Sequence, residues 1–186
     1  MKNFFSLTVL IFVIIMTFVS PQKADAKTAV TSAVLTTPNE ILEKAEDNRV
    51  EILRDYLESR NSPLAESAKT FVYEADKNDL DWRLVAAISG LESSFGIHIP
   101  AYSYNGWGYG VYGNNVRRFS SWDEGVTTVS KALREEYMNK WNAQTIPEIG
   151  RIYAASPTWA VRVQYFIDSI DEFEKDQSRT TLALSL

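Results

Sequence analysis

The chain contains no cysteine. Neither a disulfide framework nor a thiolate metal site is open to it, so its fold has to be held by packing. It has a single histidine, His98, and a cluster of imidazoles around a metal is therefore excluded. Nor is there an excess of base: 19 Lys and Arg face 24 Asp and Glu, a formal net charge of −5. Binding to a phosphate backbone depends on clustered Lys and Arg, so no nucleic-acid partner is expected. Carboxylates, aromatic rings and backbone are left to carry any chemistry, and neither a metal nor a cofactor is expected.

Lys2 gives a positive start, residues 4–19 carry no charge, and Ala24-Asp25-Ala26 is a small-x-small cleavage site. That is the pattern of an export signal over residues 1–26. The alternative is an uncleaved membrane anchor, although the apolar run falls a little short of the roughly 20 residues that a spanning helix needs. A membrane contact is expected only in that case. Either way the body of the chain is expected outside the cytoplasm, secreted or associated with the cell envelope. Removal of the leader leaves about 160 residues, enough for one domain with a sizeable core.

Residues 27–38 are rich in Thr, Ala and Val without a helical stripe and read as a linker. A helical domain is expected over residues 39–176. Thr37-Pro38-Asn39-Glu40 is a capping box with proline at the first helical position, opening a leading helix over residues 39–60. Asn61-Ser62-Pro63 starts a second helix, with Leu64, Ala68, Phe71, Val72 and Ala75 at helical spacing. Asp79 or Asp81 caps a third, whose stripe is Leu84, Val85, Ile88 and Leu91 and whose terminator is Gly96. After a glycine- and tyrosine-rich stretch, Ser121-Trp122-Asp123-Glu124 opens a helix carrying Val126, Val129, Leu133 and Tyr137. Thr145-Ile146-Pro147-Glu148 and Ser156-Pro157 open the last two. Residues 177–186 have no partner pattern and read as a flexible tail.

Capping explains several acids. Glu40, Asp123, Glu124 and Glu148 sit at helix starts, where free N–H groups favour negative charge. Glu92 sits at the opposite end of a helix. It follows Leu91, borders the buried stripe, and lies among orphan carbonyls. Partial burial and a helix C-terminus both disfavour its charged form, which suits a proton donor. The plain alternative is a carboxylate at the fringe of the stripe, turned to water.

The loop that follows sets Tyr102, Tyr104, Trp107, Tyr109 and Tyr112 among Gly96, Gly106, Gly108, Gly110 and Gly113. It is too rich in glycine for a helix and reads as an irregular loop or a small β-hairpin. Flat aromatic faces can stack on sugar rings, and glycines let backbone amides approach a ligand closely. The same rings could instead form a local cluster that holds the loop together. An acid donor beside a sugar-stacking loop points to cleavage of a glycosidic bond.

The segments "LVAAISGLESSFG", "YSYNGWGYG", "FSSWDEGVTTVSKAL" and "IGRIYAASPTW", taken in this order, resemble the lysozyme-like superfamily. The likeness is greatest to the branch holding endo-β-N-acetylglucosaminidase domains (mannosyl-glycoprotein endo-β-N-acetylglucosaminidase-like) and soluble lytic transglycosylases, and it covers residues 79–173. It implies a mainly α, lysozyme-like helical domain with the Gly/Tyr-rich loop lining a cleft, acting on peptidoglycan glycan strands as a monomer. Glu92-Ser93 at the end of a helix resembles the catalytic signature, which makes Glu92 the general acid. Asn105-Gly106-Trp107-Gly108 resembles the glucosaminidase Asn-x-aromatic-Gly stretch near the cleft floor. Tyr153-Ala154 resembles the tyrosine of the transglycosylase Ala-Tyr-Asn segment, with alanine in place of asparagine. The transglycosylase Gly-Leu-Met-Gln segment is missing. The expected substrate-binding set is thus Tyr104, Asn105, Trp107, Tyr109 and Tyr153.

Retaining and inverting glycosidases use a second carboxylate, about 5–5.5 Å or about 6.5–9.5 Å from the first. No Asp or Glu occurs over residues 93–122. Two routes fit: a single-acid mechanism in which the substrate's N-acetyl or 6-hydroxyl group takes part, or hydrolysis with a distant acid, for which Asp123 and Glu124 are the nearest. His98 reads as a surface residue. Arg117 and Arg118 suit either the carboxylates of a stem peptide or a solvated loop end. A non-catalytic wall-binding module on the same fold is the alternative to an enzyme. A helical interaction protein without a sugar site would leave the aromatic loop unexplained.

Overall fold

The computed structural model describes residues 38–111, 113 and 115–184. The export signal, the linker up to Thr37 and the loop residue Tyr112 lie outside the described residues. The protein is mainly helical, with α1 (Pro38–Ser59), α2 (Ala68–Lys77), α3 (Leu84–Ser93), α4 (Trp122–Ala132), α5 (Ile146–Tyr153) and α6 (Trp159–Leu184). A 3-10 turn, Ala65–Ser67, leads into α2, and a π-helical stretch, Leu133–Lys140, continues α4. No strand occurs among the described residues, and those of the Gly/Tyr-rich segment run as turns and irregular loop apart from a single bridge residue, Asn115. No helix among them is long and apolar enough to cross a membrane.

The third helix is the hub. The sequence predicts one apolar stripe on α3, but Leu84 to Gly90 are all buried. A helix apolar all round sits inside a domain rather than on its face, and α3 packs chiefly against α6, with α2 and α4 also in contact. Asp81, rather than Asp79, manages its start: the Asp81 carboxylate accepts from the Arg83 N–H at 2.9 Å and pairs with the Arg83 guanidinium at 2.7 Å. Arg83 in turn pairs with Asp171 of α6, which fastens the entry of the hub to its main partner.

The hub ends at Ser93, three residues before its expected glycine. Ser94 (φ 53°) and Phe95 (φ 58°) take left-handed conformations ahead of Gly96 (φ 83°). Each such non-glycine residue costs about 1–3 kcal/mol of strain. The offset is local. Phe95 N–H closes back on Ser89 O at 3.0 Å, and the buried Phe95 ring meets Tyr56 and Phe166 edge-on at 5.6 and 5.2 Å. Buried Ser93 donates to Gly106 O at 2.7 Å and accepts from Gly96 N–H at 2.8 Å, joining the helix end to the aromatic loop.

Two expected caps are present. Ser121 Oγ accepts from Glu124 N–H at 3.1 Å. Thr145 and Glu148 form a reciprocal capping box on α5. Most of the tail expected over residues 177–186 is helical, since α6 runs through Leu184; residues 185–186 lie outside the described residues. Gln177 Nε2 donates to Asp55 Oδ2 at 3.1 Å, so α1 supplies the partner that a stripe-based reading cannot see.

Candidate active site

Glu92 stands in the last turn of α3. Its side chain is exposed, and the partial burial predicted from its place beside the stripe is therefore corrected: it lies on the open side of a helix otherwise enclosed. It is nonetheless held. The indole N–H of Trp159, a residue 3 % exposed, donates to Glu92 Oε1 at 2.8 Å. A buried indole needs an acceptor, and here the acceptor is a carboxylate. The other oxygen, Oε2, looks toward Gly108, where an added Cβ would stand only 3.8 Å away. Gly108 itself takes a left-handed conformation (φ 62°) that favours glycine, and it brings the loop beside the carboxylate.

Three rings run along the wall beside Glu92. Tyr153 stacks on Trp159 with centroids 4.9 Å apart and planes 27° apart, and Tyr137 lies 5.7 Å from Tyr153 on the other side. Tyr153 Oη donates to Trp107 O at 2.7 Å and ties α5 to the loop. Burial, followed by the nearby Glu92 charge, holds the Tyr153 phenol well above its ordinary range. It stays a neutral donor at any pH at which the fold operates.

A groove of about 350 Å³ opens beside this wall. Gly108, Tyr109, Gly110 and Arg117 line its loop side, and Glu136, Trp141 and Tyr153 line the helical side. The π-helical stretch shapes that side: Trp141 N–H bonds to Glu136 O, five residues back, at 3.0 Å. Such stretches often mark functional sites.

The sequence-predicted residues divide. Glu92, Tyr109 and Tyr153 come together at or beside the groove. Trp107 does not serve as a stacking face. It is 0 % exposed, packs on Phe71, Phe119 and Trp122, and donates its indole N–H to Val85 O at 2.9 Å. Gly125 makes room for it, since a Cβ there would meet the indole at 2.5 Å. Asn105 is also buried. Its amide donates to Tyr109 O and Arg117 O at 2.9 and 3.0 Å, and its carbonyl accepts from Tyr109 N–H at 3.2 Å. That side chain folds the loop and has no reach left for a ligand. Tyr104 packs edge-on against Trp122 at 5.4 Å and does not line the groove.

The two distant acids also turn elsewhere. Asp123 accepts from Thr70 Oγ1 at 2.7 Å, which links α4 to α2. Glu124 accepts from Ser120 N–H and Oγ, both at 2.6 Å, and those bonds hold its carboxyl below the usual range. The carboxylate that lines the groove is Glu136. In the sequence Glu136 is an acid flanked by the apolar positions Leu133 and Tyr137, with nothing to mark it as a site residue; in the structure it lies in the π-helical stretch and lines the groove. Trp159 was legible solely as a core residue. No group of three or more metal-ligating side chains occurs among the described residues. His98 is exposed. No protein-family model matches the chain, and comparison with curated proteins finds no relative.

Proposed function

We propose that the protein is an exported, lysozyme-like peptidoglycan glycosidase that cleaves the β-1,4 bond between amino sugars, with Glu92 as general acid. One observation carries this reading: an exposed carboxylate, fixed on one oxygen by a buried indole, stands beside Gly108, which lines an aromatic groove. A general acid needs a fixed position and access to the leaving oxygen; the indole bond supports the first and the exposure of Glu92 the second. A strand laid across Gly108 would cover Glu92 and bring the leaving oxygen to it. Glu92 then gives its proton to the glycosidic oxygen as the C1–O bond breaks, and the leaving sugar departs as an alcohol.

Two fates of C1 are compatible with the groove. Water completes hydrolysis, with Glu136 as the carboxylate on hand to take its proton, or the sugar's own 6-hydroxyl bonds to C1, closes an anhydro ring and returns its proton to the Glu92 carboxylate. Digestion of purified cell-wall sacculi followed by mass analysis of the products separates them. New reducing ends mean hydrolysis, anhydro ends mean transglycosylation, and the sugar that carries them names the linkage. Glu92→Gln should lower the rate by about 10²–10⁴ while glycan binding persists, because an amide keeps the shape but cannot transfer the proton. A fully active Gln variant would overturn the assignment. Sacculi that are bound but never cut by the wild-type protein would make it a wall-binding module.

A further inference from the structure

We infer that Arg117 forms a subsite for a carboxylate carried by the glycan strand, an inference that rests on the glycosidase reading. Arg117 is held at three levels. Its carbonyl accepts from Asn105 Nδ2 at 3.0 Å. Its stem lies on Gly110, where an added Cβ would come within 3.0 Å of Arg117 Cδ. Its guanidinium sits over the rings of Tyr109 and Phe119, at 5.0 and 5.5 Å from their centroids. Side-chain ordering of this kind lowers the entropy lost on binding.

The charge so positioned makes no ion pair within the described residues. Arg49, Arg83, Arg134 and Arg179 are each paired with a carboxylate, and Arg118 donates to Ala101 O at 2.6 Å. Two acids bear on Arg117. Glu124 feels its charge but is already bonded to Ser120. Glu136 lines the helical side of the same groove. An arginine that is exposed, preordered on aromatic faces and left with free donors suits a planar carboxylate, which can accept two parallel N–H bonds. The acid across the groove disfavours a multiply charged anion and leaves a singly charged one as the better fit. A wall glycan offers that chemistry from two sources, the lactyl carboxylate of a bare muramic sugar and the carboxylates of an attached peptide.

The test uses the Glu92→Gln protein, so that binding is read without turnover, and three soluble strands of equal length: neutral N-acetylglucosamine oligomers, peptide-free wall strands and peptide-bearing wall strands. Adding Arg117→Gln should weaken binding of anionic strands about tenfold, the scale of one charge-assisted hydrogen bond, and leave neutral oligomers unaffected. A loss confined to peptide-free strands identifies the lactyl carboxylate, which an attached peptide converts to an amide; a loss confined to peptide-bearing strands identifies the peptide, and a loss on both means that either carboxylate fills the subsite. Arg117→Lys should recover part of the loss, keeping the charge without the fork. Equal loss on neutral and anionic strands, or no loss on any, overturns the subsite. If the Glu92→Gln parent binds none of the three, both the subsite and the glycosidase reading fall. An anionic preference that depends on Arg117 in a wild-type protein that leaves sacculi intact overturns catalysis alone.

Discussion

Trp107 and Trp159 are both buried, and each donates its indole N–H across to α3, yet they serve opposite ends of the molecule's economy. Trp107 bonds to the Val85 carbonyl near the start of the helix, and all its surroundings are core. Trp159 bonds to the Glu92 carboxylate at the helix end, and its ring begins the stack that continues through Tyr153 to the groove. The first indole satisfies a backbone acceptor, so its bond serves stability alone. The second fixes a charged group that reaches solvent, which stability alone does not require. Burial alone therefore does not distinguish the two tryptophans, whereas the acceptor of the N–H does.

The largest effect that sharpens this contrast is expected at Trp107. Truncation to Ala empties a fully enclosed site and should cost about 3–5 kcal/mol, read as a shift in denaturation midpoint. Weakened glycan binding with an undiminished midpoint would instead return Trp107 to the groove. Next in size is Gly125→Ala. Its new methyl group would meet the Trp107 ring at 2.5 Å, and overpacking of this kind costs about 1–3 kcal/mol. A neutral result would mean that the indole yields, and that the loop core is looser than the geometry describes.

Trp159→Phe probes the other indole. The ring stack can persist while the bond to Glu92 is lost, at a cost in stability of about 1 kcal/mol, because water can replace the missing donor on an exposed carboxylate. Activity should fall by a larger factor than stability implies, with kcat reduced more than KM, since the acid is no longer held in place. A variant that loses stability but keeps full kcat would erase the distinction between the two tryptophans.

What could be read from the sequence follows the same division. Helix starts were legible because their chemistry is local: Ser121 and Thr145 cap where Ser/Thr-x-x-Glu spacing says they should. Glu92 stood out because a carboxylate at a helix C-terminus opposes the backbone dipole. The role of Trp107 was not legible, because an aromatic among glycines looks the same whether it faces a sugar or Phe71 and Phe119. Glu136 was hidden for a different reason. It lies in a stretch whose shift from α to π geometry residue spacing does not encode. The end of α6 was missed because its partner, Asp55, lies far away in sequence.

The smallest effect tests how the Trp159 wall is anchored. Tyr153 rides on α5, a helix of 8 residues, too short to stand without help from its cap. Bonds from Thr145 and from the Gln144 and Thr145 N–H groups hold the Glu148 carboxyl below the usual range. A carboxyl depressed in the folded state contributes stability that is full above the unfolded value and is lost as pH falls through the folded one. Glu148→Gln removes this contribution but keeps an acceptor for the N–H groups. The variant should therefore melt slightly below the wild type at neutral pH, and the gap should close once the medium is more acidic than the ordinary carboxylate range, about pH 4. Because the group is exposed, added salt should shrink the gap as well. A gap of equal size at both pH values would mean that the box acts through its neutral hydrogen bonds alone, and that charge does nothing to hold α5 and the Tyr153 wall in place.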